Sequence, residues 1–316
     1  MTADDLKTMQ AWSLERKIRV SQTRIMEAVE RWNGNAIVSF SGGKDSTVLI
    51  DLARRCYPDI KAVFVDTGLE FPEIVDFVGT FDNVDIIRPR LCGDSCVGDC
   101  RDGCFGKIVR EVGWNFPSKD VAHAMYYARQ GKQWALNYFQ GLNSDGTESW
   151  FKQRYKKWAF LIDAPFLLST KCCALLKERP LDYYHKQHGK ALPIVGVMAA
   201  ESVRRKTAWL KTGCNAFESR KPMSKPLSFW TEQDILRYIK EFNIKIADCY
   251  GDIVEDKKGR LHTTGESRTG CILCPVGCHL DKENKFVRLQ KTHPEIWERG
   301  VRLGLTDVLD YVGVSY

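Results

Sequence analysis

The sequence has 316 residues, of which 44% are hydrophobic and 28% charged, and its formal net charge at pH 7 is +7. This length suits one large domain or two smaller ones, and the composition is typical of a globular protein. No apolar run reaches the roughly 18 residues of a transmembrane helix, and Met1–Asp5 is too acidic and polar for a signal peptide. We therefore expect a cytoplasmic protein without a membrane partner. Its positive charge suits an anionic substrate, either a nucleotide or a nucleic acid.

Helices and strands alternate along the first part of the chain. Apolar residues at helical spacing predict a helix over residues 6–33. Short β-prone runs predict four strands, at residues 36–40, 60–66, 84–87 and 193–197. Helices are predicted from Thr47 and from Pro72. This alternation predicts an α/β fold with a doubly wound parallel sheet, in which ligands bind at the carboxyl ends of the strands.

Two regions depart from the alternation. Residues 92–170 begin with a segment rich in Cys, Gly and Asp and continue as helical, aromatic and basic sequence. After Trp230 the pattern is helical, with Thr231 as N-cap, and residues 251–270 are predicted as a loop. We expect a nucleotide-binding domain over residues 1–229, with a Cys-rich helical insertion at 92–170. A C-terminal helical region over 230–316 would complete a metal site.

The hexapeptide Ser41–Ser46, with sequence SGGKDS, is the most specific motif. It lies between a predicted strand and a predicted helix, where backbone N–H groups and the helix dipole can converge on a phosphate. Gly42 and Gly43 permit close approach, and Lys44 adds positive charge. The hexapeptide does not fit the Walker A pattern. It resembles the PP-loop of enzymes that split ATP between the α- and β-phosphates; an ordinary glycine-rich turn is the alternative.

Further blocks resemble the phosphoadenosine phosphosulfate reductase family and occur in the family order. They are residues 63–73 with DTG and FPE, 171–181 with CC, K and PL, 196–205 with G and ESVRR, and 269–275 with CILC. The resemblance implies a fold like that of the adenine nucleotide alpha hydrolases. Sulfonucleotide reductases of this family carry a degraded PP-loop and a cysteine in the C-terminal tail. Here the loop is intact, and Val312–Tyr316 contains no cysteine.

The resemblance therefore favours an ATP pyrophosphatase over a reductase. Such an enzyme adenylates an acceptor, releasing pyrophosphate and later AMP, for iron–sulfur-assisted sulfur transfer. Thio-modification of nucleic acid is one form of this activity, and a cysteine desulfurase is a candidate sulfur donor. Reduction of adenylyl sulfate or its 3′-phosphate to sulfite is the alternative. A non-catalytic nucleotide-binding or redox-sensing module is a third reading.

The expected nucleotide, ATP or adenylyl sulfate, would be bound by Ser41, Gly42, Gly43, Lys44, Asp45, Ser46, Asp66, Thr67, Gly68 and Glu201. Lys44 can neutralise the pyrophosphate leaving group, and Asp45 can bind Mg²⁺. Arg205 can contact a phosphate or a sulfate, which makes Lys44, Asp45 and Arg205 the predicted catalytic residues. The alternatives are a dipole-favouring acid at Asp45 and a solvated basic helix end at Arg205.

Twelve cysteines in a reducing cytosol indicate metal or thiol chemistry. Four thiolates suit a [4Fe–4S] cluster or zinc, and the resemblance implies a cluster held by Cys172, Cys173, Cys271 and Cys274. Other candidate ligands are Cys214, Cys249 and Cys278, and unliganded buried thiols are the alternative. A regular spacing of four suggests a second metal at Cys92, Cys96, Cys100 and Cys104; chance clustering of cysteines in a loop is the alternative.

Residues 150–158 interleave aromatic and cationic side chains. Such a mixture suits stacking on bases and contact with phosphates, which makes nucleic acid a candidate partner. A surface helix that buries its aromatic side chains is the alternative.

Overall fold

The computed structural model describes residues 1–89, 101–281 and 284–316, with the side chains of 101–103 left aside. The chain divides into two compact units. The sheet unit comprises Met1–Asp66, Glu70–Arg88 and Pro180–Gly270. The helical unit comprises Thr67–Leu69, Pro89–Arg179 and Cys271–Tyr316. Residues 230–270 thus belong to the sheet unit, whereas residues 271–316 belong to the helical unit.

The strands of the sheet unit are β1 Ala36–Ser39, β2 Ala62–Val65, β3 Val84–Ile87, β4 Leu192–Val195, β5 Asn215–Ala216, β6 Met223–Ser224, β7 Ile253–Glu255 and β8 Leu261–Thr263. The helices of this unit are α1 Ala3–Gln10, α2 Leu14–Arg31, α3 Lys44–Cys56, α4 Pro72–Gly79, α9 Arg179–His188, α10 Val203–Thr212 and α11 Glu232–Glu241. Helix α9 starts at the unit boundary.

The helical unit contains α5 Arg101–Val112, α6 Lys119–Ala128, α7 Gln133–Gln140, α8 Lys171–Cys173, α12 Lys285–Thr292, α13 Pro294–Arg302 and α14 Leu305–Tyr311. Phe151–Asp163 forms a 3₁₀-helix of 13 residues. A π-helical turn, Ala174–Glu178, follows α8 directly.

The six-stranded sheet has the order β3-β2-β1-β4-β6-β5. All neighbours are parallel except β5 and β6. Val38 of β1 lies opposite Ala62 on one side and Ile194 on the other. The first three residues of β1 are buried because helices cover both faces of a parallel sheet. This topology confirms the predicted α/β class and its parallel sheet.

Several local predictions are confirmed. The strand at 84–87 is β3, and Pro72 is the first residue of α4. Thr231 caps α11: its hydroxyl accepts from the Asp234 N–H, and the Asp234 carboxylate accepts from the Thr231 N–H, completing a capping box.

Two local predictions are wrong. The helix expected over residues 6–33 is two helices, because Ser13 caps a new helix by accepting from the N–H of Arg16. The loop expected at 251–270 contains an antiparallel hairpin of β7 and β8. Its turn is held by the Asp256 carboxylate, which accepts from the N–H groups of Lys258 and Arg260. Strands of three residues are too short to show a period in the sequence.

No helix in the described ranges combines the length and the apolar character needed to cross a membrane.

A buried ion pair joins α2 to α11 inside the sheet unit. The Lys17 ammonium lies 2.6 Å from Oδ2 of Asp234, and the two side chains are only 1% and 9% exposed. Lys17 also donates to the carbonyl of Gln10, and the same Asp234 oxygen accepts from Thr231. Because both charges are desolvated, removing one leaves the other buried without its compensating charge.

We expect Lys17→Met to lower the free energy of unfolding by about 3–5 kcal/mol, because it strands the Asp234 charge. Urea unfolding followed by circular dichroism measures this. The matched control is Arg19→Gln on the same helix, since Arg19 pairs with Glu15 in an exposed position and should cost less than about 1 kcal/mol. Equal losses in the two variants would contradict the assignment.

Candidate functional site

The SGGKDS loop lies at the carboxyl end of β1, between α4 and the end of β4. Gly42 has φ +68°, and a Cβ there would lie 2.7 Å from Ile74 Cγ2 and 2.8 Å from Val78 Cγ2. Gly196, just beyond β4, lies so close that its Cβ would be 3.2 Å from the Asp45 carbonyl oxygen. Both glycines are therefore required for the loop to sit at this edge of the sheet.

The two serine hydroxyls of the loop bond to the loop itself. Ser46 Oγ accepts from the Ser41 N–H at 3.1 Å and donates to the Gly43 carbonyl at 2.9 Å. The hydroxyls of Ser41 and Ser46 are 2.9 Å apart. These bonds fix the loop shape. Gly43 is the N-cap of α3 and offers no side chain, so the positive end of the helix has no cap from its own N-cap residue.

Lys44 is buried, with 4% of its surface exposed. Its ammonium donates to the carbonyl of Ser267 at 2.6 Å and lies 3.2 Å from Oε1 of Glu232. An ammonium has three N–H donors, and these two contacts account for two of them. The backbone N–H of Lys44 donates to the Tyr250 hydroxyl at 3.1 Å.

Asp45 carries the strongest signal for a cation. Within the described ranges, its Oδ1 is buried and has no hydrogen-bond partner. Burial raises the pKa of this carboxyl, and the neighbouring Glu201 and Glu232 raise it further, while Lys44 and Arg268 lower it. An unpartnered buried carboxylate oxygen is the hard donor that Mg²⁺ prefers, so Asp45 fits the predicted magnesium ligand.

Glu201 lies between two arginines. Its Oε1 accepts from the backbone N–H of Met198 at 2.8 Å and from the Arg205 guanidinium. Its Oε2 lies 2.5 Å from Nη2 of Arg268. The Glu201 side chain is 9% exposed, and those of Arg205 and Arg268 are 40% and 62% exposed. Glu201 therefore orients the two guanidinium groups, and its contact with nucleotide stays a prediction.

The turn after β2 is split between the units. Asp66 is buried in the sheet unit and pairs with Nε of Arg88 at 2.9 Å. In the helical unit, Thr67 Oγ1 accepts from the N–H of Leu69, and Nη1 of Arg299 donates to the Gly68 carbonyl at 3.1 Å. The polar side chains of Asp66 and Thr67 thus have structural bonds of their own.

Sequence reasoning missed the residues that close around the loop from the second half of the chain. They are Glu232, Tyr250, Ser267, Arg268 and Thr269. Tyr250 is buried, and its hydroxyl is 2.7 Å from that of Thr269. The only sequence signal was position, since the last three immediately precede the Cys271–Cys274 motif.

Cys172, Cys173, Cys271 and Cys274 line one small cavity in the helical unit, of about 30 Å³. Cys172 donates a hydrogen bond to Cys173, which raises the pKa of Cys172 and lowers that of Cys173. The buried amide of Asn115 lies 4.0 Å from Cys173 Sγ. Four soft donors around one space fit zinc or an iron–sulfur cluster. Their spacing is wider than ligation requires, since no three candidate ligands of the described chain converge on one point.

The other cysteines have separate surroundings. Cys214 is buried in the sheet unit, where Ser228 donates to its sulfur at 3.3 Å. Cys249, also in the sheet unit, has its pKa raised to about 12 by burial and then by Glu73 and Glu266. Cys278 is buried in the helical unit, where burial raises its pKa to about 11. Cys104 is buried, and Cys92, Cys96 and Cys100 lie outside the described residues, so the second metal stays a prediction.

The sequence profile of the phosphoadenosine phosphosulfate reductase domain matches residues 35–85 and 125–276, which is more than half of the chain. The chain belongs to the phosphoadenosine phosphosulfate reductase domain family. This confirms the resemblance found in the sequence. The family's matched region includes the SGGKDS loop, Glu201, Arg205 and the four cysteines that line the cavity.

Similar proteins carry different names. An adenosine 5′-phosphosulfate reductase of Anoxybacillus flavithermus is 23% identical, over 81% of this chain and 79% of that protein. A sulfate adenylyltransferase subunit 2 of Pseudoalteromonas translucida is 26% identical, over 74% of this chain and 67% of that protein. A phosphate complex of the Candida auris phosphoadenylyl-sulfate reductase is 14% identical with a TM-score of 0.39, covering 82% of this chain and 98% of that one.

Two uncharacterised proteins of Methanocaldococcus jannaschii are each 23% identical, over 91% and 87% of this chain. The chain spans 52% of the length of one and 42% of the other.

We expect Gly42→Ala to destabilise the protein and to weaken ATP binding, because the new Cβ meets the buried side chains of Ile74 and Val78. Gly34→Ala is the matched control. Gly34 has φ +81°, but a Cβ there meets nothing within 4 Å. Gly34→Ala should therefore lower the stability only by the backbone cost of about 1–2 kcal/mol. Urea unfolding and ATP titration calorimetry compare the variants. A Gly42→Ala protein as stable as Gly34→Ala would show that the loop does not need this close approach.

We expect Cys172→Ser and Cys271→Ser each to lose most of the bound metal, because each removes a thiol from the cavity. Metal analysis and the absorption spectrum of protein purified without oxygen measure this. A coloured, iron-containing protein indicates a cluster, and a colourless one with zinc indicates the alternative. Cys56→Ser, in the sheet unit, is the control and should keep its metal. Full metal content in both cavity variants would rule out this cysteine set.

Proposed function

We propose that this protein is an ATP pyrophosphatase that adenylates an acceptor for sulfur transfer. The observation that carries the proposal is Oδ1 of Asp45, which is buried and has no hydrogen-bond partner within the described chain, in the first turn of α3 and next to the buried Lys44. A site that binds only an already formed sulfonucleotide has no need of a buried carboxylate facing its phosphates, since like charges repel. A carboxylate there suits a metal-bound triphosphate.

In the proposed reaction, an acceptor oxygen forms a bond to the α-phosphorus of ATP, and the bond from this phosphorus to the bridging oxygen breaks. Pyrophosphate leaves with the electron pair, and the acceptor proton passes to solvent. A sulfur nucleophile then displaces AMP from the adenylated acceptor. A sulfur donor protein such as a cysteine desulfurase would supply that sulfur.

The residues of the sheet unit have distinct proposed roles. The N–H groups at the start of α3 bind phosphate oxygens, and the remaining N–H of Lys44 stabilises charge on the leaving pyrophosphate. Asp45 would hold Mg²⁺, which neutralises phosphate charge when bound. Glu201 orients Arg205 and Arg268, whose exposed guanidinium groups can reach an anionic substrate.

The cysteine cavity of the helical unit is the proposed metal centre. Cys172, Cys173, Cys271 and Cys274 would hold the [4Fe–4S] cluster that the sequence resemblance implies, and a bound cluster would supply an iron atom able to carry sulfur. The thiols must turn to admit it, because the cavity is only about 30 Å³.

Sulfonucleotide reduction is the second candidate, and the similarity to the Anoxybacillus flavithermus reductase favours it. It requires a thiolate that attacks the sulfur of adenylyl sulfate, displacing AMP and forming an S-sulfonated cysteine. A second thiol then attacks the sulfur of this cysteine, which releases sulfite and leaves a disulfide. Cys278, the last cysteine of the sequence, is the candidate for this role. It is buried, with a pKa raised to about 11, so at neutral pH it is a protonated thiol and a poor nucleophile.

The test is pyrophosphate release from ATP and Mg²⁺ by protein purified without oxygen, with candidate acceptors present. We expect release by the wild type and none by Asp45→Asn, because the neutral amide cannot bind the cation. Asp45→Asn should unfold at the same or a higher urea concentration than the wild type, because Oδ1 of Asp45 has no partner to lose. Sulfite formed from adenylyl sulfate and a thiol, without pyrophosphate release from ATP, would favour the reductase. Tight ATP binding without any turnover would indicate a non-catalytic module.

Asp51→Asn on the same helix is the matched control. Asp51 accepts from the Tyr238 hydroxyl and pairs with Arg55 at 2.8 Å. We expect this variant to lose stability and to keep pyrophosphate release. The proposal fails if Asp45→Asn releases pyrophosphate at the wild-type rate.

A further inference from the structure

The helix Phe151–Asp163 exposes one line of side chains in the helical unit. A 3₁₀-helix has three residues per turn, so side chains three positions apart lie above one another at intervals of about 6 Å. Phe151, Arg154, Lys157 and Phe160 form such a line, and all four are exposed. Tyr155 and Leu161, on the adjacent line, are buried. The 3₁₀ period thus separates a packed side from an exposed row.

We name the exposed residues Trp150, Phe151, Arg154, Lys157 and Phe160 the aromatic–cationic row. Trp150 is 93% exposed, Phe151 51% and Phe160 45%. The guanidinium of Arg154 lies 3.7 Å from the centroid of the Phe151 ring. Three large aromatic side chains exposed on one short segment are unusual on a surface that binds nothing.

The charge of this helix is mainly positive. Lys152, Arg154, Lys156 and Lys157 lie between Trp150 and Ile162, and the acidic residue of the helix, Asp163, is its last residue. Lys156 and Lys157 are exposed. A partner of this surface should therefore be both anionic and able to stack on aromatic rings.

We propose that the aromatic–cationic row binds single-stranded nucleic acid, with bases on its rings and phosphates on its cations. A helix that lies on a membrane places its apolar and charged residues on opposite faces. Here the cations Arg154 and Lys157 lie between the aromatic residues Phe151 and Phe160 along one edge, so bases and phosphates of one strand could contact the same edge. This binding goes beyond the proposed ATP chemistry; only the further idea that the bound strand is the acceptor rests on the proposed function.

The test is fluorescence anisotropy of labelled oligo(dT) and oligo(U) of about 12 nucleotides, titrated with the full chain at several salt concentrations and without ATP. We expect Trp150→Ala to weaken binding about tenfold, as for the loss of one stacked base, with Trp150→Phe restoring most of it. Trp150→Ala should leave the salt dependence unchanged, because it removes no charge.

Lys156→Gln combined with Lys157→Gln should flatten the slope of log K against log salt by about 1.4, which is about 0.7 for each lost phosphate contact. The matched control replaces Lys186 and Lys190, exposed lysines of the sheet unit, and should leave the slope unchanged. The proposal is overturned if no oligonucleotide binds at low salt or if both lysine pairs behave alike. It is also overturned if phosphatidylserine vesicles or acidic peptides bind through Trp150 and oligonucleotides do not. Pyrophosphate release by Trp150→Ala is assayed separately, so that a failure of the nucleic-acid proposal can be distinguished from a failure of the ATP proposal.

Discussion

The open amino end of α3 is the constraint on which the site of the sheet unit depends. Because Gly43 cannot cap the helix with a side chain, the positive end of its dipole stays directed at the edge of the sheet. That arrangement requires close packing on both sides of the loop. Gly42 permits the approach of Ile74 and Val78, and Gly196 permits the approach of the Asp45 backbone. The bonds between Ser41, Ser46 and Gly43 then hold the loop in this shape before any anion arrives.

Charge compensation explains how so many ionic groups can gather around this helix end. Lys44 faces Glu232, and Arg205 and Arg268 face Glu201. Among the described residues, Oδ1 of Asp45 has no such partner. Burial and the neighbouring Glu201 raise the pKa of Asp45, although the Lys44 and Arg268 charges partly offset this. A metal–nucleotide complex would supply a cation for Asp45. It would also supply an anion, with which the arginines could pair in place of Glu201. Binding would then replace ion pairs without burying new unpaired charge.

The sequence predicted the features that neighbouring residues form, and it did not predict the contacts between residues far apart along the chain. The SGGKDS loop, strand 84–87 and the cap at Thr231 follow from neighbouring residues. The parallel sheet follows from the alternation of predicted helices and strands. By contrast, the Tyr250 hydroxyl that accepts from Lys44 lies 206 positions along the chain, and no local pattern indicates it. Glu201 was predicted from its place in a family block, but its ion pair with Arg268 was not, because only the tertiary fold brings Arg268 near. The row at 150–160 needed the 3₁₀ period, since an α-helical period would have scattered the same residues around the helix.

The paired cysteines show how backbone geometry and proton chemistry combine. Successive side chains of an α-helix diverge by about 100°, yet Cys172 and Cys173 both line one cavity. They occupy a single short turn, α8, that passes directly into the π-helical turn Ala174–Glu178, a wider turn of a kind that is frequent at functional sites. Cys172 keeps its proton and donates it toward Cys173, and Lys119 and Lys177 further favour the thiolate at Cys173. A metal at this cavity would be bound by thiolates, so its binding would release the proton that Cys172 retains, with Cys173 as the thiolate available first.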